Sequence, residues 1–477
     1  MLRRNAIAGL TAGLLAPSVL HAQSNALLGP WSGKLVGLGR AVRLRFEIKP
    51  ADIVELVDLE NDGVPSRGKM ISDHQSGVVF AFTLSNPAFP QASFEAKREG
   101  PDRLVGTWIQ GPYKTPLTLT RGDPEGWADW AIYDGPAAPL TKARLDIYRR
   151  TFLVPALTAG ARRAGRTAIW STGVRQVGSS VPVTDQDQWR IGSISKSMTA
   201  TLVARLVEAG AVKWDDQCGQ VIGELKSEMR PEYAAATYRH LLCHRAGLIN
   251  NLTPDELDTY SFSSPDPREE RVRYMRTTLA RPPVAAPGQR FSYSSAGYVT
   301  AAGMLEASLG QSWEALMREH VFKPLGLKSA GFGSPGRAGR IEQPFGHVLG
   351  LNGYERVSGG GGLDDIPAVV GPAGGIHVNM ADLLTFLAAH SERTPFLKPE
   401  TWDTLQTPWA GGRYAMGWTV SPEGVLGHGG ATKLWLAQVS VDRSQGVCAA
   451  AATNVNGAIR AVTRAAEEAV AASQAAV

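Results

Sequence analysis

The chain has 477 residues, more than one ordinary domain, with 43% hydrophobic and 19% charged side chains, so it can bury a large core and two folded units are expected. The formal charge is +5, about +3 without Arg3 and Arg4, and both signs are interspersed; no basic stripe marks a nucleic-acid partner. Three widely spaced cysteines, Cys218, Cys243 and Cys448, cannot all pair, which fits small buried hydrophobes better than a disulfide framework.

The chain opens with Arg3-Arg4, an apolar run from Ala6 to Leu20 interrupted by Pro17, and His21-Ala22-Gln23. This reads as a secretory signal over residues 1–22 rather than a membrane span, and the mature protein is expected in the periplasm or outside the cell. The paired arginines admit the twin-arginine route beside the general one. No other stretch reaches about 18 apolar residues, so the mature chain is expected to have no membrane span.

Residues 27–122 then alternate in short segments: Trp31 to Leu38, Val42 to Ile48, Ile53 to Leu59, Val78 to Leu84, Ala92 to Lys97, Arg103 to Gln110 and Pro116 to Leu119. Turn residues separate them, which predicts a small all-β domain, barrel or sandwich. Asp123-Pro124 and Gly135-Pro136 mark 123–139 as a linker.

Residues 140–472 read as a second domain: a helix from about Thr141, a strand near Arg166 to Thr172, and a helical middle from Ser193 to about Gln311. Strands return near Tyr414, Leu434 and Val447, and an Ala-rich helix spans Ala458 to Ala472. Strands at both ends of a helical insertion imply an α/β (α+β) domain, an antiparallel sheet flanked by helices. Gly359 to Gly362 lies in a loop long enough to be a lid or an insertion.

Within this domain Ser193-Ile194-Ser195-Lys196 opens a helical pattern, and residues three apart share a helix face. Lys196 would therefore set its amine beside the Ser193 hydroxyl, near the positive end of the helix dipole. Tyr293-Ser294-Ser295 precedes the apolar run Val299 to Leu309, and Gly427-His428-Gly429-Gly430-Ala431-Thr432 precedes the alternating segment Leu434 to Val441. Cys243-His244 invites a metal reading, but no second pair follows at ligand spacing, so no metal is expected.

The order S-x-x-K, Y-x-S, H-G-G resembles the serine β-lactamase and penicillin-binding-protein superfamily, in its branch of class C β-lactamases, D-alanyl-D-alanine carboxypeptidases, D-amino-acid amidases and family VIII esterases. Leu241 to Leu248, Pro324-Leu325-Gly326-Leu327, Ala373-Gly374-Gly375-Ile376 and Tyr414-Ala415-Met416-Gly417-Trp418 resemble further segments of that family, in order. Gly29-Pro30-Trp31-Ser32-Gly33, Gly106-Thr107-Trp108 and Leu117 to Arg121 resemble β-domains found beside serine hydrolases. Such a domain either holds a lipocalin-like pocket or is a filled spacer.

The resemblance implies a serine hydrolase without cofactor, acting on a small-molecule or peptide-like substrate through an acyl-Ser193 intermediate. Lys196 and Tyr293 would move the proton, with Tyr293 held partly as phenolate by the lysine charge. The backbone N–H groups of Ser193 and Ala431 would form the oxyanion hole, with Gly429 and Gly430 letting the substrate approach.

Two residues depart from the class C pattern. Ser295 stands where an Asn would offer both an amide donor and an acceptor. His428 stands where a Lys would bind a carboxylate, and a histidine does so only where its surroundings keep it charged. An esterase or a D-amino-acid-specific peptidase or amidase is therefore expected. A non-turnover binding protein or sensor of the same fold, or a true β-lactamase, is the alternative.

Overall fold

Alternating buried and exposed side chains run through the first part of the chain and close it on itself. The computed structural model describes residues 26–475 apart from 38–39, 59–65, 75–76, 85–90, 125–126, 130–134, 265, 338, 351–352 and 357–365. The expected leader, the Gly359 to Gly362 loop and parts of the expected linker lie outside the described residues. Backbone contacts divide the chain into two units, one ending at Trp127 and one beginning at Ala128.

The first unit is a closed antiparallel barrel of β1 (Gly29–Gly37), β2 (Arg40–Lys49), β3 (Ile53–Asp58), β4 (Ser66–His74), β5 (Gly77–Thr83), β6 (Gln91–Arg98), β7 (Arg103–Gln110) and β8 (Tyr113–Arg121). Each strand pairs with the next, and β8 returns to β1 through Trp31 and Arg121. On β5 the buried set is Val78, Phe80 and Phe82; on β6 it is Ala92, Phe94 and Ala96. These side chains meet Phe46 and Trp108 inside, with ring centroids 5.4 to 6.4 Å apart. Burying each ring contributes about 1.5–3 kcal/mol.

Strand β4 is absent from the sequence expectation. Of Ser66-Arg67-Gly68-Lys69-Met70-Ile71-Ser72-Asp73, only Met70 and Asp73 are buried, and a bulge between Met70 and Ser72 leaves Ile71 67% exposed. The bulge breaks the period-two signal on which strand reading depends.

The second unit begins with α1 (Lys142–Thr151), capped by the Thr141 hydroxyl, which accepts the Arg144 N–H at 3.2 Å. Strands β9 (Ala156–Arg163) and β10 (Arg166–Gly173) follow as a hairpin, then β11 (Gln188–Arg190), β12 (Gly331–Phe332), β13 (His347–Gly350), β14 (Gly353–Arg356) and β15 (Ile376–Asn379). The chain closes with β16 (Thr419–Val420), β17 (Leu426–Ala431), β18 (Leu436–Asp442) and β19 (Val447–Thr453). The main sheet is antiparallel and six-stranded, in the order β10-β9-β19-β18-β17-β16. The helices that matter here are α2 (Ser195–Glu208), α3 (Ser295–Leu309), α4 (Met380–Glu392) and α5 (Ile459–Ala475). Helices α4 and α5 pack on β9 and β19, and α2 packs on α3. Among the described residues no helix is long and apolar enough to cross a membrane.

The two ends of this unit are tied together. Glu468 of α5 receives Arg144 Nη2 at 2.7 Å and the Tyr148 hydroxyl at 2.6 Å, both from α1. It also accepts the Ala138 N–H at 3.1 Å, and Arg464 donates to the Gly135 carbonyl at 2.5 Å. Gly135 and Ala138, read from sequence as linker, are thus fastened to α5.

Candidate active site

Ser193 sits in a single 3-10 turn, Gly192–Ile194, that runs directly into α2. The helix proper starts two residues later than the sequence suggests, yet the three-residue spacing still brings Lys196 back to Ser193. Lys196 Nζ lies 3.1 Å from Ser193 Oγ, 3.3 Å from Ser295 Oγ and 2.8 Å from the Ala373 carbonyl oxygen. The side chain is fully buried, and burial pushes its ammonium down to about 7. A neutral amine has two N–H donors and one lone pair, which match this set: donors to Ala373 and Ser295, lone pair toward the Ser193 hydroxyl.

Tyr293 stands just ahead of α3, whose N-cap is the Ser294 hydroxyl, accepting the Gly297 N–H at 3.0 Å. Its ring centroid is 4.9 Å from Lys196 Nζ. The expectation of a lysine-induced phenolate is reversed here. Burial raises the Tyr293 pKa above its ordinary 10, and a hydrogen bond with the Ser193 hydroxyl offsets that only in part. A lysine that has itself lost much of its charge cannot draw the phenol proton away.

Strand β17 supplies the opposite wall. Its neighbour β16 pairs only with Gly427 and Leu426, so beyond Gly427 that edge of β17 has no strand partner among the described residues and faces the Ser193 turn. The approach is backbone to backbone. A Cβ on Gly430 would lie 1.9 Å from the Ile191 carbonyl oxygen and 3.2 Å from the Ser193 nitrogen. A Cβ on Gly192, whose φ is +49°, would lie 2.7 Å from the Ala431 nitrogen. Only glycine fits either place, and the result is that the backbone around Ser193 and that around Ala431 lie side by side.

His428 is 6% exposed, with Nε2 3.0 Å from the Tyr414 hydroxyl and Nδ1 2.7 Å from the Gly429 carbonyl oxygen. Burial, reinforced by Lys196, pushes its imidazole down to about 4, so the ring is neutral across physiological pH. The condition for binding a carboxylate there is not met. Trp435, just past this strand, is 3% exposed and edge-on to Trp189 at 6.2 Å, in the core.

Three contributors carried no assigned role in the sequence. Ala373 acts through its carbonyl, which leaves no side-chain signal. Tyr414 reaches His428 from 14 residues away. His244, at φ +57° and 1% exposed, accepts the Ser294 N–H on Nδ1 at 2.9 Å and lies 4.3 Å from the Tyr293 ring. It thereby braces the loop that carries Tyr293. The L-L-x-H-x-x-G-L turn was its only signal.

Residues 150–474 match the family model described as Beta-lactamase. Penicillin-binding protein 4 of Amycolatopsis lactamdurans is 27% identical over 333 residues, covering 65% of this chain and 84% of that protein. The class C beta lactamase from Rhodobacter sphaeroides shares the fold with a TM-score of 0.55 at 21% identity, covering 70% of this chain and 99% of that one. The D-amino acid amidase from Ochrobactrum anthropi SV3 does so with a TM-score of 0.53 at 20% identity, covering 67% and 94%. Since the model match takes in the Ser193 turn, the Tyr293 loop and strand β17 alike, the chain belongs to the Beta-lactamase family.

Proposed function

We propose that the protein is a serine hydrolase that cleaves an ester or an amide through an acyl-Ser193 intermediate. The observation that carries this reading is the fully buried Lys196 amine, 3.1 Å from Ser193 Oγ and pushed down to about 7. Ser193 Oγ attacks the carbonyl carbon as its proton passes to Lys196 Nζ. The carbonyl π electrons move onto oxygen, where the Ser193 and Ala431 N–H groups receive the charge. When the tetrahedral species collapses, the leaving group departs with the Tyr293 proton, and Tyr293 recovers one from Lys196. Water then attacks the acyl carbon, losing its proton to the same pair, and Ser193 is released with its own proton restored. The leader pattern in residues 1–22 would place this activity in the periplasm or outside the cell.

The test is a panel of p-nitrophenyl esters, D-aminoacyl anilides and nitrocefin on wild type and Ser193→Ala. Multiple turnover of an ester or anilide is expected, with nitrocefin slower than the best ester. Ser193→Ala should lose activity by about 10³-fold or more while its far-ultraviolet spectrum stays unchanged. A single stoichiometric release without turnover would instead identify a receptor of the same fold.

A further inference from the structure

His428 is engaged on both sides by the protein itself. The Gly429 carbonyl can only accept, so Nδ1 carries the ring proton and Nε2 accepts from the Tyr414 hydroxyl. With the ring 6% exposed, neither nitrogen is left for a ligand. The groups that face it offer no compensating negative charge. Tyr293 lies 6.4 Å away between ring centroids and Tyr414 6.0 Å. Lys196 opposes a second positive charge at His428, and His428 in turn disfavours charge on His244.

We propose that Tyr414 is a positioning residue that locks His428 as a neutral ring bonded to the Gly429 carbonyl, so that the site takes acyl donors with no carboxylate beside this strand. The proposal rests on the hydrolase reading above and narrows its substrate class to neutral esters and amides. Two effects follow from the one contact. The imidazole withholds any N–H from a substrate anion, and its bond to the Gly429 carbonyl steadies the peptide that leads to the Ala431 N–H.

The experiment compares kcat/KM for phenyl acetate and 3-acetoxybenzoate, which transfer the same acyl group and differ by one carboxylate, from pH 5 to 9. Titration of Lys196 affects both esters and cancels in their ratio. Wild type should prefer phenyl acetate by about tenfold or more, the scale of one unmade polar contact, at a ratio independent of pH. Tyr414→Phe should lower kcat for phenyl acetate, shrink the preference by about threefold or more, and make the ratio pH-dependent below about pH 7, where a released imidazole titrates.

A wild-type ratio that swings toward the carboxylate ester through an ionisation between pH 6 and 7 would overturn the proposal. So would a Tyr414→Phe ratio identical to wild type at every pH. If neither ester turns over, the fault lies with the hydrolase reading, and ¹⁵N NMR of the histidine-labelled full chain decides the present question without activity. His428 should then show the Nδ1–H tautomer, unchanged from pH 5 to 8 in wild type and mixed in Tyr414→Phe. A His428 resonance titrating near 6.5 overturns the assignment.

Discussion

Two buried cations in the second unit, Arg271 and Lys196, share the same burial and have opposite fates. Arg271 is 0% exposed and meets two carboxylates, Glu306 and Glu314, each at 2.6 Å from Nη2. Those carboxylates more than offset its desolvation and hold it charged above its ordinary value. Lys196 is also 0% exposed, but its partners are two hydroxyls and a carbonyl, and it sinks to about 7. Where the chain needs a strut it pairs the charge. Where the proposed mechanism needs a base, the counter-ion is withheld.

The comparison breaks first at Lys196→Met, which removes the base and fills the space. Activity should fall by about 10³-fold or more. Stability, read as a urea midpoint, should rise by about 1 kcal/mol, because an amine buried without a counter-ion is costly to hold. A midpoint below wild type would mean that Lys196 is a strut after all. Arg271→Ala should do the opposite. Leaving the buried Glu306 and the partly buried Glu314 without their cation should cost about 3–5 kcal/mol, while the folded fraction keeps its kcat. Loss of kcat at full folding would tie the two cations together.

Acid sharpens the contrast further. Only neutral Lys196 can accept the Ser193 proton, so kcat/KM should fall about tenfold per unit below an apparent pKa of about 7. With the Tyr293 phenol raised above 10, no matching loss should occur on the alkaline side before that value. A bell centred below pH 7 contradicts both assignments. In a double-mutant cycle, Lys196→Met and Tyr293→Phe should cost scarcely more together than the worse one alone, as expected of groups that pass one proton. Additive losses would separate their roles.

The smallest effect is expected from removing the barrel. A fragment beginning at Ala128, which keeps Gly135, Ala138 and the Asp129–Arg150 ion pair at 2.9 Å, should fold and take one fluorophosphonate adduct on Ser193. A folded fragment that the probe fails to label would make the barrel part of the site.

Much of this was legible in sequence because the telling contacts are local. Lys196 meets Ser193 at three residues' distance, and the Ser294 cap announces the start of α3 just after Tyr293. The alternation of β5 and β6 survived because their inner faces, Val78, Phe80 and Phe82 on one and Ala92, Phe94 and Ala96 on the other, are apolar throughout. What escaped has physical reasons. Strand β9, A-L-T-A-G-A-R-R, is buried on both faces between β10 and β19, so its small residues show no alternation. The expected Tyr293 phenolate rested on a full lysine charge, and burial, which sequence does not display, acts on both groups at once. The Tyr414–His428 contact depends on the bridge from Tyr414 to Thr419 and the pairing of Thr419 with Gly427, in strand β16, which is only two residues long and leaves no alternation to read.

Glu468 and strand β19 have a consequence for how the second unit is made. The Thr453 hydroxyl donates to the Ala156 carbonyl across 297 residues of chain, and β9 cannot complete its pairing until β19 has been synthesised. Loop closure over such a span must be met before its contacts reward it, and chains with that topology fold slowly. The helical middle that holds Ser193 and Tyr293 is complete long before the strand that carries Ala431. On the proposed mechanism a nascent chain would therefore carry Ser193 without the Ala431 N–H, and the site would be assembled only when the last segments dock.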